Sequence, residues 1–123
     1  MAQVQLVYPK IPGSSAAPSS RCIAFEKYDG TNLHWVWQRK LGWQAFGVRR
    51  HQYDLSDHGI AEFNDLHPGL SEAVELFKIN FADECEAIFT SQAKYLGDNY
   101  IVFTEFFGER SFAGQHEPDE KKI

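Results

Sequence analysis

A lysine at the end of an apolar alternation is the residue of this chain best suited to covalent chemistry. Residues 21–25 have the composition of a β-strand, and alternation along that strand places Ile23, Phe25 and Lys27 on one face. An amine at the end of an apolar row is partly desolvated, which favours its neutral, nucleophilic form. The pattern therefore predicts a reactive Lys27. The alternative is a solvated lysine whose stem merely covers the strand end.

The residues around Lys27 give it a more specific meaning. They spell Phe25-Glu26-Lys27-Tyr28-Asp29-Gly30-Thr31-Asn32, a K-x-D-G pattern that is followed by Thr-Asn and a second predicted strand. This segment resembles motif I of the covalent nucleotidyltransferases, which are the ATP-dependent RNA and DNA ligases and the mRNA capping enzymes. It is most similar to the RNA ligases of the phage and RNA-editing type. The resemblance implies that Lys27 accepts AMP.

The same resemblance implies roles for three neighbours of Lys27. Glu26 would help to fix the adenine, and Asn32 would contact the 5′-phosphate side of the substrate. Gly30 would let the backbone approach the nucleotide closely, since it carries no side chain.

Two arginines follow a predicted hairpin. Its strands are Leu33–Gln38 and Trp43–Arg49, and its turn ends at Gly42, for which we expect a positive φ. In the family that motif I resembles, an arginine at the end of the second strand belongs to motif Ia and contacts the nucleotide or the 5′-phosphate. Arg50 is the closer match, with Arg49 as the alternative. A guanidinium suits this role because its fork grips phosphate at two points and stays charged. On their own, the two arginines could equally be a solvated pair.

A carboxylate interrupts a second apolar row near the end of the chain. Tyr100–Phe107 is a predicted strand, and alternation places Glu105 among Ile101, Phe103 and Phe107. A buried unpaired charge is costly, so Glu105 needs a partner. The run resembles family motif III, with Thr104 where a glycine is usual, a change that could reshape the pocket wall. By resemblance Glu105 bonds the ribose or assists the metal, and the alternative is an ion pair with a lysine or arginine of the core.

Helices are predicted between these strands. A stripe of apolar residues with steps of four and three begins after residues 67–69: Leu70, Val74, Phe77, Phe81, Cys85 and Ile88. Ala73 and Phe89 widen it, and Asn80 could divide it into two helices. Residues 54–66 are predicted to be irregular, with a short helical turn at 59–63. We expect the tryptophans of the hairpin to pack across the strands rather than to stack on bases.

Taken together, these patterns predict an α+β fold with an antiparallel sheet and one long or two short helices. The resemblance implies a partial nucleotidyltransferase (ATP-grasp-like ligase) domain at residues 21–115, after an arm and flexible loop at 1–20 and before a polar tail at 116–123. It implies ATP and Mg²⁺ as cofactors and RNA (or DNA) ends as partners. For the intact protein, it implies formation of lysyl-AMP and sealing of 5′-phosphate to 3′-hydroxyl ends.

Family motifs IV and V are missing from the 123 residues. We therefore expect the N-terminal part of an adenylyltransferase domain with little activity alone, and self-association through exposed sheet edges. The first alternative is a non-catalytic nucleotide- or RNA-binding module. The second is a purely structural domain in which Lys27 and Glu105 pair across the core.

Charge and composition agree with a polyanionic ligand. The net charge is −5, but residues 21–53 contain six basic and two acidic residues, whereas residues 54–123 contain five basic and fifteen acidic ones. Positive charge thus surrounds the lysine segment. No apolar run approaches the roughly 20 residues of a membrane span, and the N-terminus lacks a secretory signal, so we expect a cytoplasmic protein, of phage or viral origin as one option. Cys22 and Cys85 are expected to be reduced, and the five histidines have no zinc spacing.

Overall fold

A four-stranded antiparallel sheet forms the framework of the chain. The computed structural model describes residues 13–16, 19–24 and 30–107. The strands are β1 (Thr31–Gln38), β2 (Gly42–Val48), β3 (His51–Asp54) and β4 (Asn99–Phe106), in the spatial order β3-β2-β1-β4. The predicted α+β class, the hairpin of β1 and β2 and the late strand β4 are confirmed.

The helices follow one another between β3 and β4. They are α1 (Asp57–Leu66), a 3₁₀ turn (Pro68–Leu70), α2 (Ala73–Phe77), a π-helical segment (Lys78–Ala82) and α3 (Asp83–Ser91). A further 3₁₀ turn spans Ser14–Ala16. Within the described residues, no helix has the length and apolar character needed to cross a membrane.

Aromatic side chains form the core between the sheet and the helices. Trp35 on β1 is fully buried, and its ring stacks on Phe77 of α2 with 4.0 Å between ring centroids. Trp37 packs against Phe89 of α3 at 5.1 Å. The prediction that the tryptophans serve as packing residues is confirmed. The turn between β1 and β2 ends at Gly42 with φ of 79°, as expected for a left-handed turn position.

The helical stripe was predicted correctly as far as Phe77, with Ala73 beside it, and again at Phe89, whereas Ile88 was wrongly placed in it. The π-helical segment after it contains one residue more than an α-helical turn would, which rotates all later residues by about 100°. Ala82 and Phe89 are therefore buried, whereas Ile88 is 38% exposed. The predicted break at Asn80 is thus a wide turn inside a continuous helical run.

Two local predictions were wrong, and one strand was not predicted. Residues 21–24 form no strand: they are exposed and irregular, with Ile23 80% exposed, because their backbone takes no place in the described sheet. Residues 51–54 form β3, and residues 57–66 form a full helix. That helix begins where the hydroxyl of Ser56 accepts a hydrogen bond from the backbone N–H of Gly59 at 3.2 Å. Phe63 is fully buried, and its packing holds this helix in place although the sequence of the helix is polar.

Candidate functional site

The start of β1 is fixed to β4 by the glycine of the K-x-D-G pattern. The backbone N–H of Gly30 donates a hydrogen bond to Oε1 of Glu105 at 3.2 Å. A Cβ atom at Gly30 would overlap the carbonyl oxygen of Phe106, so only glycine fits here. The predicted need for a glycine therefore has a reason in the fold itself, whereas its approach to a nucleotide stays a prediction.

Asn32 lies one alternation further along β1, directly opposite Glu105 on β4. Its side-chain nitrogen donates to the carbonyl oxygen of Thr104 at 3.2 Å. The side chain of Thr104 itself accepts a hydrogen bond from the indole of Trp35 at 2.8 Å, which places it on the face that carries the core. The expectation that Thr104 shapes the pocket wall was therefore wrong, because alternation turns Thr104 away from the face of Glu105.

The two arginines form the tight turn between β2 and β3. Val48 and His51 are the last paired residues, so Arg49 and Arg50 make up the whole loop. Both side chains are exposed. The sequence placed the arginines at the end of a strand. The structure gives them a hairpin tip, where guanidinium groups remain accessible to a ligand.

A pocket of about 380 Å³ brings these segments together. Gly30, Thr31 and Asn32 of β1 line one side, and Val48, Arg49, Arg50 and His51 line the other. Three residues that were predicted separately as nucleotide contacts, Gly30, Asn32 and Arg50, therefore share one cavity, and Arg49 lines it as well. At the edge of this pocket, Glu105 accepts a hydrogen bond from the backbone N–H of Gly30. Lys27 and Glu26 lie outside the described residues.

A second, smaller hollow adjoins this pocket. It has a volume of about 290 Å³ and shares His51 with the first pocket. Its other lining residues come from β3 and α1: Gln52, Tyr53, Asp54, His58, Gly59, Glu62 and Leu66. Within the described ranges, no group of three or more histidine, cysteine or carboxylate side chains has an arrangement suited to a metal ion.

The charge around the pocket differs from the charge of the helical layer. Helices α1 to α3 and their connections, residues 57–91, contain eight carboxylates and one lysine. The arginine turn lies between β2 and β3. A phosphate-bearing ligand is therefore attracted to the arginine turn and repelled by the helical layer.

Three groups near the site have perturbed pKa values. Burial lowers the pKa of His34, and its hydrogen bond to Gln52 only partly offsets this. Burial also lowers the pKa of His67, with a further contribution from the positive charge of His51. The hydroxyl of Tyr53 lies 3.3 Å from Nε2 of His67, and burial raises the pKa of Tyr53. Both histidines are therefore biased toward their neutral forms.

Sequence reasoning missed His34 and Gln52. His34 is 1% exposed, and its Nε2 atom lies 3.3 Å from Oε1 of Gln52. A polar residue in a strand of tryptophans was the available signal, but its partner could not be found without knowing that β3 exists. Cys22 and Cys85 are free thiols.

Comparison with protein families, with curated proteins and with solved structures gave no match.

Proposed function

We propose that the 380 Å³ pocket binds the phosphates of ATP and that Lys27 becomes covalently adenylylated. The observation that carries the proposal is the shared pocket. Gly30 and Asn32 were assigned to a nucleotide site through the resemblance to motif I and Arg50 through motif Ia, and all three line the same cavity.

Covalent geometry keeps the proposed nucleophile within reach of this pocket. Lys27 precedes Gly30 by three residues, and three peptide units span at most about 11 Å. A lysine side chain adds roughly 6 Å to that reach. Both Gly30 and Glu105 are fixed relative to the cavity, so a lysine tethered to Gly30 has access to a phosphate in it.

The proposed reaction is a displacement at phosphorus. The neutral Nζ atom of Lys27 attacks the α-phosphorus of ATP, a P–N bond forms, the bond to pyrophosphate breaks and the amine loses a proton. Arg50 binds a phosphate through its fork, with Arg49 beside it. AMP then passes to the 5′-phosphate of an RNA or DNA end, and a 3′-hydroxyl displaces AMP to seal the ends.

Glu105 is the described carboxylate that lies next to Gly30, the last residue of the K-x-D-G pattern. Mg²⁺ usually binds through one or two carboxylates together with substrate phosphates and water. Glu105 fits the protein's share of such a site, because Gly30 occupies only one of its two oxygens. Bound there, the ion would neutralise phosphate charge.

A labelling experiment tests the proposal. The chain is incubated with Mg²⁺ and α-³²P-labelled ATP, and label is counted after denaturing electrophoresis. We expect a low level of label on the wild type and on Lys40→Ala, a matched variant of an exposed lysine in the turn between β1 and β2, and none on Lys27→Ala. Label that persists on Lys27→Ala would exclude Lys27 as the acceptor.

The same experiment separates a second candidate function, a non-catalytic nucleotide- or RNA-binding module. It is favoured by one observation: the described lining of the pocket includes polar and cationic side chains, such as those of Asn32, Arg49 and Arg50, but no lysine or cysteine. That function requires saturable ATP or RNA binding that weakens in Arg50→Ala, with no covalent label on the wild type.

A further inference from the structure

One row of the sheet joins β1 to β3 across the strand between them. His34 on β1 is paired with Gly47 on β2, and Gly47 is paired with Gln52 on β3. Residues of one row point to the same face of a sheet. The side chains of His34 and Gln52 meet over Gly47, with 3.3 Å between Nε2 and Oε1.

This contact depends on the glycine in the middle. Neighbouring strands lie about 4.8 Å apart, so β1 and β3 are separated by roughly twice that distance. Two side chains can span the gap only where the middle residue has none. A Cβ atom at Gly47 would also overlap the carbonyl oxygen of His51, so the glycine sets the approach of β3 as well.

The hydrogen bond has a defined direction. The Oε1 atom of Gln52 can only accept, so Nε2 of His34 carries the proton. The Nδ1 atom of the same ring is buried and has no partner among the described residues. The one donor of the His34 ring is therefore used in the hydrogen bond to β3. Its acceptor is the side chain of Gln52, which is exposed.

The row lies next to the proposed phosphate site along both β1 and β3. Gln52 follows His51, the residue that closes the arginine turn, and His34 follows Asn32 by one alternation on β1. Asn32 and the arginine turn are the two sides of the pocket. The bond between His34 and Gln52 is thus a link between those two sides that bypasses β2.

We propose that His34 and Gln52 are positioning residues, which fix the Arg49–Arg50 turn relative to Asn32. The inference rests on the proposed function for its effect on ligand binding, but not for its effect on the turn. Strand β3 is four residues long and its backbone pairs only with β2, so the contact between His34 and Gln52 adds a restraint to β1 that strand pairing does not supply. Without the link, the turn moves relative to β1, and the arginines meet the phosphates in a single geometry less often.

The matched variants are Gln52→Ala and Gln44→Ala. Gln44 is also a glutamine of the sheet, but its side-chain nitrogen donates only to the carbonyl oxygens of Leu41 and Trp43, away from the pocket. We expect the amide of His51, which closes the turn by pairing with Val48, to exchange with deuterium about five- to tenfold faster in Gln52→Ala, the change expected for one lost hydrogen bond. Exchange in Gln44→Ala should remain as in the wild type.

A rescue variant separates this link from general stability. In Gln52→Glu a carboxylate oxygen can accept from the same Nε2 proton, so turn exchange should return toward the wild-type rate. Unchanged exchange at His51 in Gln52→Ala, or fast exchange in Gln52→Glu, would overturn the inference.

Binding of ATP, measured by calorimetry, gives the second readout. We expect a dissociation constant about five- to tenfold higher for Gln52→Ala than for Gln44→Ala. If the wild type binds no ATP, the proposed function fails, and the exchange data alone then decide whether the link fixes the turn. If ATP binds equally to both variants, the link has no role in ligand binding and the inference fails.

Discussion

The backbone N–H of Gly30 donates to a carboxylate oxygen of Glu105, 75 positions later in the sequence, at 3.2 Å. This bond ties Gly30, the last residue of the K-x-D-G pattern, to β4. Removing the carboxylate in Glu105→Ala leaves the amide without its acceptor, so we expect the free energy of unfolding to fall by about 2 kcal/mol. Glu105→Gln keeps an acceptor oxygen and should lose less than about 1 kcal/mol. Urea denaturation measures both, and equal losses would show that the charge matters rather than the acceptor.

A methyl group at Gly30 is expected to disturb the same junction through shape alone. Its Cβ atom would overlap the carbonyl oxygen of Phe106, and backbone cannot move aside as a flexible side chain can. We expect Gly30→Ala to lower the free energy of unfolding by at least about 2 kcal/mol. Gly13→Ala is the control, because nothing lies within 4 Å of a Cβ atom at Gly13. A Gly30→Ala variant as stable as Gly13→Ala would contradict the close approach of β1 and β4.

A substitution at Thr104 tests which face of β4 belongs to the core. Its hydroxyl accepts from the indole N–H of Trp35 at 2.8 Å, and Trp35 is fully buried. In Thr104→Val the shape is kept and the acceptor is lost, so we expect a loss of about 1–2 kcal/mol. Thr90→Val, an exposed site on α3, should change stability by less than about 0.5 kcal/mol. Thermal denaturation distinguishes the two, and nucleotide binding should be unaffected in both.

Strands with strong local patterns could be predicted from the sequence. β1, β2 and β4 combine aromatic or β-branched residues with an obvious turn at Gly42, and all three are present. β3 could not be predicted, because four residues of mixed polarity carry no periodicity. Its existence depends on Tyr53, which is buried against Phe46 with 6.0 Å between ring centroids. That contact is decided by tertiary packing.

The residues of the candidate site divide in the same way, into those that could be predicted from the sequence and those that could not. Gly30, Asn32, Arg50 and Glu105 were found because their types and spacing resemble a known pattern. His34 and Gln52 were not, since their meeting requires the register of three strands and a glycine between them. An apolar strand before Lys27 was the reason to expect a desolvated lysine. That reason was wrong, because residues 21–24 are exposed. The assignment of Lys27 now depends on the turn at Gly30 rather than on a preceding strand.

Buried histidines make stability depend on pH in the mildly acidic range. Burial lowers the pKa of His34 and of His67 in the folded chain, whereas unfolding returns each to its ordinary value near 6.5. Between the lowered and the ordinary pKa, the unfolded chain binds more protons, so stability rises with pH. The full contribution is present above about pH 6.5. It declines as the pH falls below that value and levels off beneath the folded pKa.

The slope gives the measurement for this prediction. Each histidine contributes at most about 1.4 kcal/mol per pH unit within that window. Urea denaturation from pH 7.5 down to pH 4.5 should show the decline in the wild type and a shallower one in His34→Gln. His58→Gln, which changes an exposed histidine, should follow the wild type. A His34→Gln profile that matches the wild type would show that His34 does not titrate differently on folding.

The π-helical segment between α2 and α3 can be removed without losing the packing around it. The inward residues are Leu70, Val74 and Phe77 before the segment, and Ala82 and Phe89 after it. The step from Phe77 to Ala82 is five residues, one more than an α-helix needs to return to the same face. Deleting one residue in between restores a step of four, so Ala82 and Phe89 continue the stripe of α2 in a regular α-helix.

Ile79 is the residue to delete, because it lies in the segment and is 71% exposed. We expect the deletion to change the free energy of unfolding by less than about 1 kcal/mol, since almost no buried area is lost and regular hydrogen bonding is regained. Deletion of Ala87, an exposed residue inside α3, is the matched control. It would place Thr90 at the buried position of Phe89, with an expected loss of at least about 3 kcal/mol. Circular dichroism during urea denaturation gives both values, and a collapse of the Ile79 deletion would show that the wide turn is needed for the fold.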